Sequence, residues 1–369
     1  MGLHGWLFPA TIVRGVNIIR GAVTAMKTSA WSFDGTGGPE VLELGSREMK
    51  EPGPGEVLVK LRAIGLNRSD LAYMAGRYLT RPEGRSFLGQ EGLGELVGYG
   101  GGRASASALF GFEPEAGDRV ALLAGRIDYK NMGTYRGFGV YPANALVPVP
   151  GNFSDAEGAA FWVGALTMVG AAHTVGLGPG QKGGRNVVVT AASSAMGIAG
   201  LQVARAWGAR TIAVTTSPSK ADSLHPLADE VVVAPTPADI APGIRKVTAD
   251  KGFDIAFDAV GHANVAPLFE AAGTGAHILH YGMMAGADSQ MNLPAMLRKD
   301  LDVHGYTIYR VLRSPERLRA ALDDALDLGQ RGLLRPIVSK EFAFTEAKEA
   351  LVAMASNQHL GKLVIRGES

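Results

Sequence analysis

The sequence predicts an α/β protein in which a mostly-β part precedes a doubly wound parallel sheet. Three observations support this prediction. Short strands alternate with glycine turns up to about Pro150, and near-continuously apolar strands alternate with long helical patterns beyond it. Glycine is abundant, with 50 residues in a chain of 369, which suits many tight turns and close backbone approaches. The length favours about two domains.

The first part begins with strands that are buried on one face. Apolar side chains alternate with polar ones over 57–63, which indicates a half-buried strand. Ser69 follows as a candidate N-cap of a short helix that stops near Gly76. The glycine-rich, low-complexity run 98–111 predicts a solvent-exposed loop.

The second part alternates apolar strands with helices. Strands of this kind are typical of a parallel sheet covered on both faces. Right-handed crossovers then give a doubly wound sheet. The predicted strands are 187–190, 212–216, 230–234, 253–261 and 275–282.

The first 25 residues carry Arg14 and Arg20, contain no acidic residue, and precede a stretch from Met26 that reads like a natural start. We expect 1–25 to be an N-terminal extension outside the fold, with an organellar targeting segment as the alternative. The two arginines interrupt the stretch before a membrane span could form.

Composition excludes several kinds of partner and chemistry. A net charge of +1 provides no overall field for nucleic acid or an anionic membrane, so a small-molecule partner is expected. The chain has no cysteine, which excludes disulfides, thiolate catalysis and zinc sites built on sulfur. A reducing, cytoplasmic location is therefore expected.

The stretch 186–200 predicts a strand, a tight turn and a helix whose N-terminal N–H groups suit a pyrophosphate. Relative to a G-x-G-x-x-G pattern, Ala192 and Ser194 replace the first two glycines and Gly197 keeps the third. The alternative is that the serines only cap the helix. The residues predicted to contact the cofactor here are Ser193, Ser194, Ala195, Met196 and Gly197.

The end of the second strand of the sheet indicates which dinucleotide binds. An NAD site would have a carboxylate here for the ribose hydroxyl. This sequence instead has Thr216, Ser217 and Lys220, with no carboxylate before Asp222. Hydroxyls and a cation suit a 2′-phosphate, which predicts NADPH as the cofactor. The alternative is that Lys220 is a solvated surface residue.

The ends of later strands supply further predicted cofactor contacts. Ligands of open α/β sheets bind beyond the carboxyl ends of the strands. This rule places Val260 and Gly261, and also Tyr281, Gly282 and Met283, beside the nicotinamide.

Several ordered motifs carry a family resemblance: AIGLNRSDLAYMAGRY, GQEGLGELV, GDRV, VVVTAASSAMGIAGLQVARAWGA, FDAVG and HLGKLVI. From Met26 to about Arg366 the chain resembles the medium-chain dehydrogenase/reductase superfamily, in its zinc-independent quinone oxidoreductase branch. The resemblance implies a GroES-like catalytic domain at 26–155 and 305–369, a Rossmann NADP-binding domain at 156–304, and a homodimer.

The resemblance also implies roles for single residues. Tyr78 aligns with an active-site tyrosine that hydrogen-bonds a substrate carbonyl or donates a proton, although a solvated loop tyrosine is the alternative. Asn67 and Thr167 align with residues near the nicotinamide, and Asn67 could equally be a structural amide. Asp70 is expected to brace the short helix, and Lys362 to be structural.

The superfamily's zinc ligands are replaced in this sequence. By resemblance, the first catalytic ligand falls at Asn67 and the histidine of the G-H-E motif falls at Gln90. His277 and His280 stand three residues apart on a predicted strand, so they point to opposite faces and are read as strand residues. No bound metal is expected.

The predicted function is that of an NADPH-dependent, zinc-free oxidoreductase that transfers hydride to a quinone or an α,β-unsaturated carbonyl. A reductase of 2-enoyl thioesters is the alternative within the same chemistry. A non-catalytic, crystallin-like NADPH-binding protein is the alternative from another class, and a zinc alcohol dehydrogenase is the weakest of the four.

Overall fold

A computed structural model describes most of the chain. The predicted N-terminal extension and most of the predicted loop at 98–111 lie outside the described residues. Within the part that is described, no helix combines the length and the apolar character that crossing a membrane requires. The described residues are 26–101, 111–128, 130–181, 183–286 and 288–368.

The first part of the chain forms two antiparallel sheets with two short helices. Strands β2, β1 and β4 make a small sheet, and β3, β5, β6, β7 and β8 belong to a larger one. Their bounds are β1 Met26–Phe33, β2 Glu43–Met49, β3 Glu56–Gly65, α1 Arg68–Met74, β4 Ser86–Phe87, β5 Glu91–Tyr99, β6 Arg119–Leu122, β7 Phe138–Pro142, β8 Leu146–Val147 and α2 Asp155–Ala159.

The C-terminal end of the chain returns to this larger sheet. It contributes β15 (Val338–Phe342), α11 (Ala347–Ala355) and β16 (Lys362–Arg366). Strand β16 pairs antiparallel with β3, with Val364 opposite Gly65, and β15 pairs parallel with β16. The two ends of the described chain therefore build one β unit.

The middle of the chain forms a six-stranded parallel sheet in the order β11-β10-β9-β12-β13-β14. Its elements, with the helices that follow it, are α3 Trp162–Thr174, β9 Asn186–Val189, α4 Ala195–Ala206, β10 Arg210–Thr215, α5 Ala221–Leu224, β11 Glu230–Val233, α6 Ile240–Thr248, β12 Phe253–Asp258, α7 Val265–Ala271, β13 Ala272–His280, α8 Leu293–Lys299, β14 Asp302–Gly305, α9 Tyr309–Leu312 and α10 Pro315–Gln330.

This sheet has the doubly wound order, in which the chain reverses direction between β9 and β12. One core packs Val189 and Phe257 against α3, α4 and α10, and a second packs Val188 and Ile278 against α6 and α7. Alternate residues of each strand thus face helices on both sides of the sheet. The predicted fold class is confirmed.

Two local features differ from the sequence prediction. Strand β14 was not predicted, because it has only four residues and its polar Asp302 and His304 interrupt any apolar run. Helix α1 begins at Arg68 with Asn67 as its N-cap, so the expectation of Ser69 as the cap was wrong. The carboxylate of Asp70 decides this position, because it accepts the backbone N–H of Asn67 at 2.9 Å.

Candidate active site

The turn between β9 and α4 forms with Ala192 and Ser194 in place of the first two glycines of the pattern. Ala191 adopts a left-handed backbone with φ 46°, and Ala192 is fully buried in the core. Gly197 is needed, since a Cβ there would lie 2.6 Å from the Ala191 carbonyl oxygen and 2.7 Å from the Ala192 Cα. The third glycine of the pattern therefore sets the close approach of helix and strand.

The serines of this turn have structural partners. The Ser194 Oγ accepts the N–H of Gly197 at 3.0 Å, which is the capping role named as the alternative. The Ser193 carbonyl accepts the N–H of Gly361 at 2.8 Å. Ser193, Ser194, Ala195 and Met196 are all half-buried. Their roles toward a phosphate stay predictions.

A cluster of basic side chains lies where β10 ends. Lys220 Nζ donates to the carbonyls of Asn357 at 2.7 Å and His359 at 3.0 Å. These two bonds hold its ammonium against the protein, which differs from the solvated surface lysine given above as the alternative. Arg68 donates to the Asn357 side chain. Burial lowers the pKa of His359, and the charges of Lys220 and Arg68 lower it further. Since an ammonium has three N–H donors, Lys220 keeps one beyond these two bonds.

Two hydroxyl residues stand beside this basic cluster. Ser217 Oγ lies 2.9 Å from Ser219 Oγ, and the Ser217 N–H donates to Thr215 Oγ1 at 3.2 Å. Thr216 is exposed. The predicted residues Thr216, Ser217 and Lys220 thus lie together at the end of β10, and their contacts with a phosphate stay predictions.

Asp258 organises the loop that follows β12. Its side chain is fully buried and accepts the Thr190 hydroxyl at 2.5 Å, the N–H of Val260 at 3.2 Å and the N–H of Gly261 at 2.8 Å. His280 Nδ1 lies 2.9 Å from the same carboxylate. Burial by itself would raise the pKa of Asp258, but these hydrogen bonds and the charge of His280 bring it below its usual range.

The segment after β13 packs closely on this loop. A Cβ on Gly282 would lie 2.5 Å from the Ala259 carbonyl oxygen, so only glycine fits there. The Tyr281 hydroxyl is buried without a hydrogen-bond partner among the described residues, and burial raises its pKa. Met283 is 63% exposed. Gly261 and Gly282 therefore lie close together, and their place beside a nicotinamide stays a prediction.

A buried ion pair lies at Asn67, one of the two residues that the resemblance aligns with zinc ligands. Lys362 Nζ donates to Glu91 Oε1 and, at 2.8 Å, to Asn67 Oδ1. The Asn67 amide donates to Glu91 Oε1 at 3.0 Å, and Glu91 Oε2 accepts the N–H of Val163 at 3.0 Å. The two charged side chains are 3% and 1% exposed. Each charge therefore has a partner away from water.

These residues do not fit a zinc ion. Zinc in proteins takes cysteine, histidine and carboxylate ligands. Here an ammonium bonds the only carboxylate of the group, Asn67 presents an amide, and the Gln90 amide donates to Ser69 Oγ. A second cation at this point would be repelled by Lys362.

Asp70 lies next to this ion pair, but its buried carboxyl has fewer hydrogen-bond partners than that of Glu91. Burial raises the pKa of its carboxyl from 3.8 to about 7, which outweighs the backbone N–H of Asn67 and the charge of Lys362. Its Oδ1 has no partner among the described residues. The Tyr135 hydroxyl donates to the other oxygen at 3.5 Å. The bracing of α1 that was expected of Asp70 is confirmed by its bond to Asn67.

Tyr78 is half-buried against the core of the β unit. Burial raises the pKa of its phenol, and the neighbouring Tyr309 and Asp70 raise it further, so the hydroxyl is protonated at neutral pH. Tyr309, which begins α9 beyond the parallel sheet, interacts with the Tyr78 hydroxyl. The sequence alone gave no signal for Tyr309.

Thr167, which the resemblance aligns with a residue near the nicotinamide, is buried and already hydrogen-bonded within its own helix. It is 8% exposed within α3, and its hydroxyl donates to the Val163 carbonyl at 2.6 Å. That bond uses its only proton, so Thr167 could only accept from a ligand.

Comparison with known proteins gives the class of protein. An alcohol dehydrogenase GroES-like domain family matches residues 53–151, and a zinc-binding dehydrogenase family matches residues 195–327. The fold is thus that of the medium-chain dehydrogenases.

The relatives narrow the class further. The chain is 30% identical over 335 residues to a quinone oxidoreductase of Pseudomonas aeruginosa, covering 90% of this chain and 98% of the relative. It is 27% identical to an acryloyl-coenzyme A reductase of Metallosphaera sedula, covering 86% and 95%. A crystal structure of the Thermus thermophilus quinone oxidoreductase, studied also as its NADPH complex, superposes with a TM-score of 0.75 at 29% identity over 92% and 99% of the two chains. The chain belongs to the medium-chain dehydrogenase/reductase superfamily, in its quinone oxidoreductase-like branch.

Proposed function

We propose that this protein is an NADPH-dependent reductase that works without zinc and transfers hydride to a quinone or an α,β-unsaturated carbonyl. The observation that carries the proposal is the buried Lys362–Glu91–Asn67 network at the position of the family's metal. With an ammonium held there, charge on a substrate oxygen must be stabilised by hydrogen-bond donors instead of a Lewis acid.

The turn between β9 and α4 fits the diphosphate of a dinucleotide. The half-buried residues from Ser193 to Met196 form the N-terminal end of a 12-residue helix. The helix dipole favours negative charge at this end. Gly197 keeps the approach close. The glycines at 261 and 282 would leave room for the nicotinamide end, which supplies the hydride when the cofactor is bound.

The positive patch at Lys220 supports NADPH over NADH. Lys220 and Arg68 would place two cations near a 2′-phosphate, and the hydroxyls of Thr216 and Ser217 would donate to it. A carboxylate that would select the ribose hydroxyl of NADH is not part of this group of residues.

Tyr78 supplies the hydrogen bond to the substrate carbonyl in this proposal. Its pKa is raised, so at neutral pH the phenol carries the proton that an enolate or a developing oxyanion needs. The Asn67 amide is engaged by Glu91 and Lys362, so we propose that it orients this region and does not take part in proton transfer.

The organisation of the chain follows from the same proposal. We propose that the catalytic domain comprises 26–155 and 305–369 and the cofactor domain 156–304. The substrate is a small molecule, and the family suggests a homodimer.

A reductase of 2-enoyl thioesters is the second candidate. It is favoured by the 27% identity to the acryloyl-coenzyme A reductase, which covers 95% of that relative. The two candidates share the cofactor, Tyr78 and the absence of zinc chemistry, and they differ only in the acceptor.

The proposal is tested by following the nicotinamide absorbance of NADPH and NADH with a quinone, an enone and an enoyl thioester added separately. We expect NADPH to be oxidised in preference to NADH. Turnover of the thioester alone would select the second candidate. Cofactor binding without oxidation by any acceptor would contradict both and indicate the non-catalytic protein.

Two variants assign the residues. Tyr78→Phe should lower kcat/KM about 10²–10⁴-fold, whereas Tyr99→Phe, whose hydroxyl bonds the Pro114 carbonyl far from Tyr78 in sequence, should not. Lys220→Met should weaken NADPH binding and leave NADH binding almost unchanged, and the exposed Lys251→Met is its control. An unchanged kcat/KM in Tyr78→Phe would remove the assigned role.

A further inference from the structure

A second group of polar side chains lies on β13 and β14, the last two strands of the parallel sheet. His277 on β13 is paired directly with Asp302 on β14, and His304 follows two residues later on the same face. All three side chains therefore point to one side of the last two strands. His280, by contrast, turns to Asp258.

The distances between these side chains are those of metal ligands. His277 Nδ1 lies 3.3 Å from His304 Nε2 and 3.4 Å from Asp302 Oδ2. The ligand atoms of the three residues all lie within 4.8 Å of one another. An ion with tetrahedral bonds of about 2.0–2.1 Å holds neighbouring ligand atoms about 3.3–3.4 Å apart. Two edges of such a tetrahedron are already formed.

The two histidines of this group can both act as metal ligands. An imidazole binds a metal through its neutral form. The rings of His277 and His304 stack with centroids 5.6 Å apart, which fixes their orientation.

We propose that His277, Asp302 and His304 bind one divalent transition-metal ion, of the zinc type, at the edge of the parallel sheet. Two imidazoles and one carboxylate are ligands that zinc accepts, and water completes the tetrahedron. The site is separate from the Lys362 network that replaces the family's metal. It does not depend on the proposed reductase activity.

Such an ion would fasten the last strand to the sheet. Strand β14 has only four residues and pairs, within the described part of the chain, with β13 alone. Two of the proposed ligands lie on β14 and one on β13. An ion that binds the folded chain stabilises it by mass action, so the expected role is structural.

The test uses the full-length, tag-free chain after chelator treatment, titrated with Co²⁺ and then with Zn²⁺. We expect one equivalent of Co²⁺ to give the visible absorption of a tetrahedral site, Zn²⁺ to displace it, and Zn²⁺ to raise Tm by a few degrees. His304→Ala should weaken Zn²⁺ affinity at least tenfold. The near-isosteric Asp302→Asn, at a side chain 66% exposed, should weaken it as well.

The exposed His225→Ala is the matched control and should leave affinity unchanged. Circular dichroism and Tm of the metal-free variants check that each is folded. The proposal is overturned if the wild type shows no saturable binding, or if one equivalent binds equally well in His304→Ala and Asp302→Asn. The second result would mean that histidines elsewhere in the chain hold the ion.

Discussion

Two buried carboxylates, Glu91 in the β unit and Asp258 in the parallel sheet, have different hydrogen-bond partners. Glu91 is bonded by a lysine ammonium, an asparagine amide and one backbone N–H. Asp258 is bonded by a histidine, a threonine hydroxyl and two backbone N–H groups. Both lie at the start or the end of a strand and both are at most 1% exposed.

The difference shows how one kind of residue serves two purposes. The Lys362 ammonium places a positive charge between Glu91 and Asn67, and this charge excludes a metal ion there. Asp258 instead accepts the N–H groups of Val260 and Gly261 and so holds the loop after β12 in one conformation. This loop lies at the carboxyl ends of the strands, where ligands of α/β sheets bind. In the proposed function, Glu91 excludes a metal from the site and Asp258 shapes the loop for the cofactor.

Removal of the lysine should have the largest effect on stability. Lys362→Met leaves Glu91 ionised and buried without its cation, which should lower the free energy of unfolding by about 3–5 kcal/mol. Denaturant unfolding measures this value. The exposed Lys251→Met should change it by less than about 0.5 kcal/mol.

The double variant Glu91→Gln/Lys362→Met sharpens this result. It removes both charges, so it should be more stable than Lys362→Met alone. If Lys362→Met costs less than about 1 kcal/mol, the ion pair is not the buried element that the structure describes.

Asp70 provides the second test, because it is a buried carboxyl without a bonded cation. Its pKa is 3.8 unfolded and about 7 folded, so the native state binds more protons between these values. The free energy of unfolding should therefore fall as pH rises from about 4 to about 7, by at most about 4 kcal/mol. Asp70→Asn should flatten this profile and be the more stable protein at pH 8.

Denaturant unfolding between pH 4 and pH 8 measures both profiles. The exposed Asp222→Asn should reproduce the wild-type dependence. A wild-type stability that rises steadily over this range in step with Asp70→Asn would mean that Asp70 is ionised when folded.

The Asp258 loop should show a smaller loss of stability together with a loss of binding. Asp258→Asn removes the charge facing His280 and one of the two acceptor oxygens, which should cost about 2–3 kcal/mol. Fluorescence titration should show weaker binding of NADPH, since the loop of Val260 and Gly261 loses its anchor. The exposed Asp323→Asn controls for the change of charge. Unchanged NADPH affinity would separate this loop from the cofactor.

Sequence reading recovered the architecture because its signals are local. Apolar strands and helical patterns specify a doubly wound sheet, and the small residues before Gly197 mark the turn at its first helix. Strand β14 escaped because four residues with alternating polar side chains carry no such signal. Its pairing with β13 depends on tertiary contacts.

The partners of the site residues could not be predicted in the same way. Glu91 and Asp258 were inside quoted motifs, but their bonds to Lys362 and His280 join residues that are 271 and 22 positions apart. The contact of Tyr309 with Tyr78 likewise joins separate parts of the chain. His277 was compared with His280 along one strand, whereas the structure pairs it with His304 on the next.

The most direct measurement uses the His304→Ala variant, in which the proposed zinc site at the edge of the sheet is disabled. It is the rate at which this variant, treated with chelator, oxidises NADPH in the presence of a quinone, with and without added Zn²⁺. The account predicts oxidation of NADPH in preference to NADH at a rate that chelation does not change, because Lys362 holds the metal position. A rate that falls on chelation and returns with Zn²⁺ would contradict it.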